Sequence, residues 1–312
     1  MIKRVLFTAL MPIFVLCVVS SAQSKQSTAD EPNSVTQKNN EPNSISPDTQ
    51  KEEKDSATVF HDKCSEIFKE FIDENGLVDY SKLKRKRLKL INLSREFASL
   101  ESAEYNTWSE KDKIAMWINA YNIHTLKAII DNYPIKPSRW LSMIYPANSI
   151  KQLPGLWEKY KFMIMGEEFT LSEIDSQILR LKFNEPRAFF ALSYAAKSSP
   201  PLNTKPYYGT SLDEQLDSQM RKFIATGNVY SIDRTDDSVY LSALLQHSWH
   251  GTDFVKKYGT NEKFRDQADE TRAILNFLSR YLEPNDKNYL EIKSYKIKYF
   301  KFDWKLNEQP GK

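Results

Sequence analysis

The sequence predicts one globular domain that mixes helices with short strands and is arranged around a single buried helix. Residues 112–130 are apolar on almost every side, which is typical of a helix in the middle of a large core. Residues 160–170 and 229–241 each contain two short extended stretches around a turn, which indicates two hairpins. Amphipathic stretches with helical spacing make up much of the rest.

Both ends of the central helix are marked in the sequence. Ser109 is followed three residues later by Asp112, a spacing that resembles a capping box at a helix N-terminus. The helix is expected to end within residues 131–134, because Pro134 cannot continue it.

Three polar residues interrupt the apolar surface of this helix, namely Asn119, Asn122 and His124. A buried polar group without a partner costs about 1–3 kcal/mol, so each should find a hydrogen bond. We therefore expect a buried polar network around the central helix.

The middle of the chain predicts a helix, a strand and a loop in succession. Ser172 is expected to cap a helix that runs to about residue 181, with Asp175 at the capping-box position. The apolar run 187–195 is interpreted as a buried strand that leads into the proline-rich loop 197–203. Residues 289–302 are also expected to be strand-like.

The first 22 residues have the pattern of a signal peptide. Two basic residues precede the apolar stretch Val5–Val19, and small residues end at Ala22, where we predict cleavage. This predicts export to the periplasm or the extracellular space. An uncleaved anchor that holds the protein near the membrane is the alternative, although the stretch is short and contains Pro12.

Residues 23–57 are polar and proline-containing, which predicts a disordered linker, either a tether or a dispensable tail. A single globular domain is expected over residues 58–312. Of the two cysteines, Cys17 lies in the signal peptide, so Cys64 would stand without a disulfide partner and is expected to be buried.

Composition narrows the possible partners. The net charge of +3 falls to +1 without residues 1–22, which gives no electrostatic case for nucleic acid. Only 8 glycines are present and no glycine-rich phosphate loop is found, so no cofactor is expected. His247 and His250 are three residues apart, but Asp253 is the one carboxylate near them in sequence, so no metal site is predicted.

A nucleophile and base can nevertheless be named. Ser199 lies in the proline-rich loop, where a nucleophile would be accessible, and His124 could serve as its base. Asn119 or Asn122 would then orient the imidazole, and Asp175 is a further catalytic candidate. The competing interpretation is a core histidine bonded to backbone.

Several motifs together resemble one family. Residues 117–122, Trp-Ile-Asn-Ala-Tyr-Asn, resemble the WIN-x-YN signature of domain-of-unknown-function family 547. Further blocks match in the same order, over about residues 60–308: 78–80, 171–180, 186–187, 198–200, 241–242, 249–254 and 303–307.

The resemblance implies an α+β domain with a papain-like fold, in which the buried central helix packs on an antiparallel sheet. It implies no established reaction. The residues that match the scaffold signature are expected to form a structural polar network: Asn119, Asn122, Arg187, Asp303 and Trp304.

The chain departs from the family at the positions most suited to thiol chemistry. Phe189 stands where the family has a histidine, and Tyr194 and Ser199 stand where it has two cysteines. The helix block that usually reads Ile-Glu-His is Ile-Asp-Ser, with Asp175 in the middle. Papain-like catalysis needs a thiolate and an imidazole, and neither can be assigned.

Two functions fit these observations. The first is a non-catalytic binding module at the cell envelope, with a peptide or a cell-wall fragment as its ligand. The second is a hydrolase or acyl transferase that acts on peptide or peptidoglycan-type substrates through Ser199.

Overall fold

The computed structural model describes residues 54–311, apart from the side chains of residues 247–250. The predicted signal peptide (1–22) and all but the last four residues of the predicted linker (23–57) lie outside the described residues. The first helix begins at Ser56, two residues before the expected domain boundary. Asp55 caps it by accepting a hydrogen bond from the backbone N–H of Thr58 at 2.9 Å.

The described residues combine α-helices with short strands, in agreement with an α+β class. The helices are α1 (Ser56–Phe71), α2 (Tyr80–Arg85), α3 (Arg87–Ser99), α4 (Ser102–Thr107), α5 (Glu110–Asn132), α6 (Leu171–Glu173), α7 (Leu212–Ala225), α8 (His247–Tyr258), α9 (Asp269–Leu278) and α10 (Pro284–Ile292). The strands are β1 (Lys161–Ile164), β2 (Glu167–Thr170), β3 (Tyr230–Asp233), β4 (Ser238–Leu241) and β5 (Lys296–Tyr299).

Helix α5 is the predicted central helix. Ser109 caps it by accepting the N–H of Asp112 at 3.1 Å, as expected. The Asp112 carboxylate accepts the N–H of Gly209 at 2.9 Å, so it anchors a distant loop through its Oδ1 atom. The helix ends at Asn132, before Pro134.

The surroundings of α5 correct the expected packing on an antiparallel sheet. Helices α1 and α3 and the helical segment after β2 cover most of its length. The antiparallel structure against it is the two-stranded β1–β2 hairpin, through the contacts of Phe162 with His124 and of Phe169 with Trp117. A helix that is apolar all round must be covered on every side, and helices do most of this.

The second hairpin is confirmed and is extended by a parallel strand. Strands β3 and β4 pair antiparallel, and β5 pairs parallel with β4. Residues 289–302 were expected to be strand-like throughout, but α10 occupies the beginning of that range and β5 only four residues of it.

The expected strand 187–195 is wrong. Residues Pro186–Ala191 form a 3-10 helix, and residues 192–195 belong to none of the strands; Ala195 has a positive φ of 50°. A short apolar run indicates burial but does not distinguish a strand from a helix. The helix that follows β2 is present, but Thr170 and Glu173 form its capping box, in place of Ser172 and Asp175.

The C-terminal segment returns to the beginning of the domain. Asn307 accepts a hydrogen bond from the Tyr80 hydroxyl at 2.7 Å, and its backbone pairs with Val78 and Ala195. Leu306, the residue before it, is buried and bridges to Ala196. Among residues 54–311, no helix combines the length and the apolar character needed to cross a bilayer.

Candidate functional site

Two asparagines of α5 hold backbone segments that have no strand partner. Asn119 donates to the carbonyl of Tyr207 and accepts its N–H, both at 2.9 Å. Asn122 donates to the carbonyl of Ala191 and accepts the N–H of Ser193, also both at 2.9 Å. Each amide therefore satisfies one buried donor and one buried acceptor, as a neighbouring strand would.

His124 has a different environment. Its ring is fully buried, stacks on Phe162 with ring centroids 4.7 Å apart, and also contacts Phe97. Neither ring nitrogen has a hydrogen-bond partner, and burial lowers the pKa of His124 to about 3. The imidazole is therefore neutral, and neither Asn119 nor Asn122 orients it.

Ser199 is not hydrogen-bonded to His124. Its hydroxyl oxygen accepts the N–H of Ala196 at 3.1 Å, and its own N–H donates to the Ala196 carbonyl at 3.0 Å. The side chain is nearly buried and closes the turn that follows the 3-10 helix. The proposed nucleophile and base are thus not brought together in this structure.

The expected structural network divides into separate groups. Arg187 pairs with Glu185 at 2.7 Å and with Asp213 on α7, apart from the α5 amides. The backbone N–H of Asp303 donates to Ser198 Oγ at 2.9 Å, and its carboxylate accepts the N–H of Lys305. The residues expected to form one network therefore stabilise separate parts of the domain.

A cavity of ≈ 200 Å³ lies beside α5 and combines charged and aromatic side chains. Its lining includes Tyr121 from α5, Lys151, Trp157 and Glu158 from the loop before β1, Leu171 and Ser172 from α6, Asp175 and Arg180 from the following helix, and Tyr194. We call it the charged cleft.

An unusual helix builds the ion pair of this cleft. Residues Ile174–Lys182 form a π-helix, in which hydrogen bonds run from residue i to i+5, and such helices are frequent at functional sites. Residues five apart therefore share a face, and Arg180 Nε lies 3.2 Å from Asp175 Oδ1. In an α-helix the neighbours on one face are three or four residues apart, so this pairing depends on the π-helix.

Asp253 adds a second carboxylate next to Arg180, from helix α8. Its Oδ1 atom lies 3.7 Å from Arg180 Nη1. Burial raises the pKa of Asp175 to about 6, an effect that Arg180 opposes and the neighbouring Asp253 carboxylate reinforces. A carboxyl group with such a pKa changes its charge in the range where many proteins operate.

Gly251 allows α8 to approach this cluster. Its φ of 73° breaks α8, and a Cβ there would lie 2.6 Å from Arg180 Nη1 and 2.7 Å from Asp253 Oδ1. The positive φ favours glycine, and an added Cβ would displace the ends of the Arg180 and Asp253 side chains.

Two indole rings hold a lysine at the edge of the cleft. Lys151 Nζ lies 4.8 Å from the ring centroid of Trp157 and 4.1 Å from that of Trp304. Burial lowers the pKa of Lys151 from its ordinary value. The ammonium faces two aromatic rings, which attract a cation.

The structure brings together three positions at which the chain departs from the family motif. Asp175 and Tyr194 both line the charged cleft, and Phe189 packs on Tyr194 with ring centroids 5.8 Å apart. Burial keeps the pKa of Tyr194 well above its usual range, so its hydroxyl stays protonated. Ser199, a further position of departure, closes its own turn.

The described side chains that line the cleft include carboxylates, cations, phenols and an indole, and none is a thiol or an imidazole. Cys64 is buried on α1 as expected, and burial raises the pKa of its thiol. Within residues 54–311, no group of three or more His, Cys, Asp or Glu side chains is placed to hold a metal ion. The arrangement can therefore bind charged and aromatic groups.

Sequence reasoning identified Asp175 and Trp304 but missed Lys151, Arg180 and Asp253. Arg180 and Asp253 both lie within family-like blocks, but nothing in those blocks indicates that the two side chains meet. Lys151 belongs to an irregular stretch in which no spacing indicates its neighbours. The contact between Arg180 and Asp253 depends on the π-helix and on the break of α8 at Gly251.

The chain is similar to a known protein family over part of its length. Neither the search of curated proteins nor the search of solved structures found a match. Residues 105–224, from α4 to α7, match the family model described as "Protein of unknown function, DUF547". The resemblance that the motifs predicted is thereby confirmed over this range, in which the chain is similar to DUF547.

Proposed function

We propose that this protein is a non-catalytic binding module with a papain-like fold, exported to the cell envelope, and that its ligand occupies the charged cleft. The observation that carries the proposal is the meeting of Asp175, Tyr194 and Phe189. These are positions where the resemblance leads one to expect an acid, a thiol and an imidazole. In this chain they combine a carboxyl group with two aromatic rings.

The cleft favours a ligand with charges of both signs. Lys151 and Arg180 are cationic, and Asp175 and Glu158 are acidic. A short peptide with free amino and carboxylate groups offers partners for both, and the peptide portion of a cell-wall fragment has the same chemistry. The faces of Trp157 and Trp304 beside Lys151 would contact the apolar parts of such a ligand.

The location rests on the N-terminal sequence. The pattern of residues 1–22 supports export, and the polar stretch after it would separate the domain from a membrane or wall. N-terminal sequencing of the protein purified from its host would detect cleavage after Ala22. An intact Met1 on protein from the cytoplasm would contradict export.

Binding can be tested with short peptides and muramyl peptides by calorimetry. We expect Lys151→Met to weaken binding roughly tenfold, because one charge-assisted contact contributes about 1.5–3 kcal/mol. Methionine keeps the length of the side chain and leaves out the charge. Lys159→Met, in the same loop but outside the cleft lining, is the matched control and should bind as the wild type does.

Catalysis would contradict the proposal. If the purified protein hydrolysed these ligands or transferred an acyl group from them, and Ser199→Ala abolished this, the hydrolase hypothesis would replace it. We expect no turnover, and we expect Ser199→Ala to leave binding unchanged, because its hydroxyl is engaged by Ala196.

A further inference from the structure

The loop after α5 exposes an apolar patch. Trp140, Met143 and Ile144 are 77%, 79% and 74% exposed, more than any other large apolar side chain that the structure describes. They lie within five residues of one another around a short 3-10 helix, Leu141–Met143. A cluster of this kind marks an interaction surface, because single exposed apolar residues are common but contiguous ones are not. We call residues 136–146 the apolar loop.

The flanks of the apolar loop are basic. Between Asp131 and Glu158 the sequence contains three basic residues and no acidic one. Two of the three, Lys136 and Arg139, lie in the loop and are exposed. The loop therefore presents apolar tips next to positive charges.

A second segment adds to this charge. Residues 142–146 and 301–305 line a groove of ≈ 680 Å³. Lys301 and Lys305 are exposed on its far wall, and Asp303 is the acidic residue in its lining. Because the Asp303 carboxylate accepts the N–H of Lys305, part of its charge is already engaged.

We propose that the apolar loop docks on an anionic lipid bilayer, with Trp140, Met143 and Ile144 in the interfacial layer. Tryptophan favours that layer, and aliphatic side chains gain from leaving water there. Lys136, Arg139 and the lysines of the groove wall would face the lipid phosphates. A protein partner is less suited, because a patch of three large apolar side chains is small for a protein interface.

This inference goes beyond the proposed ligand binding and does not depend on it. One shallow insertion gives weak and reversible membrane binding, so it is most effective together with a second attachment. The predicted N-terminal segment would supply one if it were retained. If it is cleaved, the loop alone would give transient contact with the bilayer.

The test uses the full chain with Cys17→Ser, in which the remaining Cys64 is buried. An environment-sensitive fluorophore is attached to Met143→Cys, and in a matched control to Leu181→Cys, a position that is 66% exposed on the π-helix. We expect a blue shift at position 143 with phosphatidylglycerol-containing vesicles, little shift with pure phosphatidylcholine, and none at position 181. Because the readout is local, attachment through the N-terminus alone would not produce this pattern.

A second experiment removes the positive charges of the apolar loop. Lys136→Gln with Arg139→Gln should weaken vesicle binding at position 143 roughly tenfold or more, since each basic residue near an anionic surface contributes measurably. Circular dichroism and thermal melting confirm that these surface variants fold. Equal shifts at 143 and 181, no shift at 143, no effect of the double substitution, or a shift that follows protein concentration without lipid would each overturn the proposal.

Discussion

Helix α5 and the charged cleft differ in how their polar side chains are paired. On α5, the Asn119 and Asn122 amides pair with backbone groups of neighbouring segments at 2.9 Å. In the cleft, Asp175 and Arg180 form an ion pair at 3.2 Å, and Asp253, which is not part of the cavity lining, lies 3.7 Å from Arg180. Fully paired groups fix the fold, whereas loosely paired charges beside a cavity are available to a ligand.

The comparison teaches where function should be sought. The asparagines belong to the motif that first suggested a family, yet their hydrogen bonds hold the segments around Tyr207 and Ala191. The cleft is lined by residues that no sequence pattern singled out, such as Lys151 and Arg180. The motif thus marks the scaffold, and the chemistry lies next to it.

The largest effect is expected for Asn122→Ala. It leaves a buried carbonyl and a buried N–H without partners, which costs about 4 kcal/mol in the free energy of unfolding. Asn132→Ala, at the end of the same helix, is the control, because that amide bonds only its own helix at Ala128. Urea unfolding would measure both. A loss for Asn122→Ala within about 1 kcal/mol of the control would show that the amide does not hold the loop.

The next effect is expected for Gly251→Ala. A methyl group there meets Arg180 and Asp253, so we expect a loss of about 2–3 kcal/mol and weaker ligand binding at the cleft. Gly227→Ala is the matched control, with a φ of 71° and no atom within 4 Å of the added Cβ. It should cost only about 1 kcal/mol for the backbone strain. Equal losses in thermal melting would mean that the close approach to Arg180 is unimportant.

His124→Leu should change the pH dependence of stability. The pKa of His124 falls from an ordinary 6.5 to about 3 on folding, so the unfolded chain binds a proton more readily below about pH 6.5. Wild-type stability is therefore lost as the pH falls through that range. Relative to the leucine variant, we expect a loss of about 2 kcal/mol between pH 7.5 and pH 5. Parallel stability curves for the two proteins would show that His124 does not titrate as its burial requires.

The smallest effect, with the opposite sign, is expected for Asp175→Asn. The pKa of Asp175 rises from 3.8 to about 6 on folding, so the folded protein holds this proton more tightly. Stability from this group is present at low pH and is lost as the pH rises from about 4 to about 6. Relative to the asparagine variant, we expect the wild type to lose about 1 kcal/mol over that range, because partial solvent contact reduces the effect. A gain would indicate that Arg180 dominates the environment of Asp175.

Local patterns predicted the elements that local chemistry controls. The limits of α5 follow from Ser109 and Pro134, and the two hairpins follow from their turns. The burial of Cys64 follows from helical spacing on α1. The prediction of a strand over 187–195 was wrong because an apolar run indicates only that a segment is buried, and a buried 3-10 helix has the same pattern.

By itself, the sequence determined the buried helix α5, the mixed class of the domain and the likeness to DUF547 over residues 105–224, because periodicity, caps and motifs are local properties. The tertiary structure alone decided how the polar residues are used. Asn122 bonds residues about seventy positions away, and Arg180 reaches Asp253 across a comparable distance in sequence. Such pairs depend on where the π-helix and the break at Gly251 place the backbone, and no local spacing encodes that.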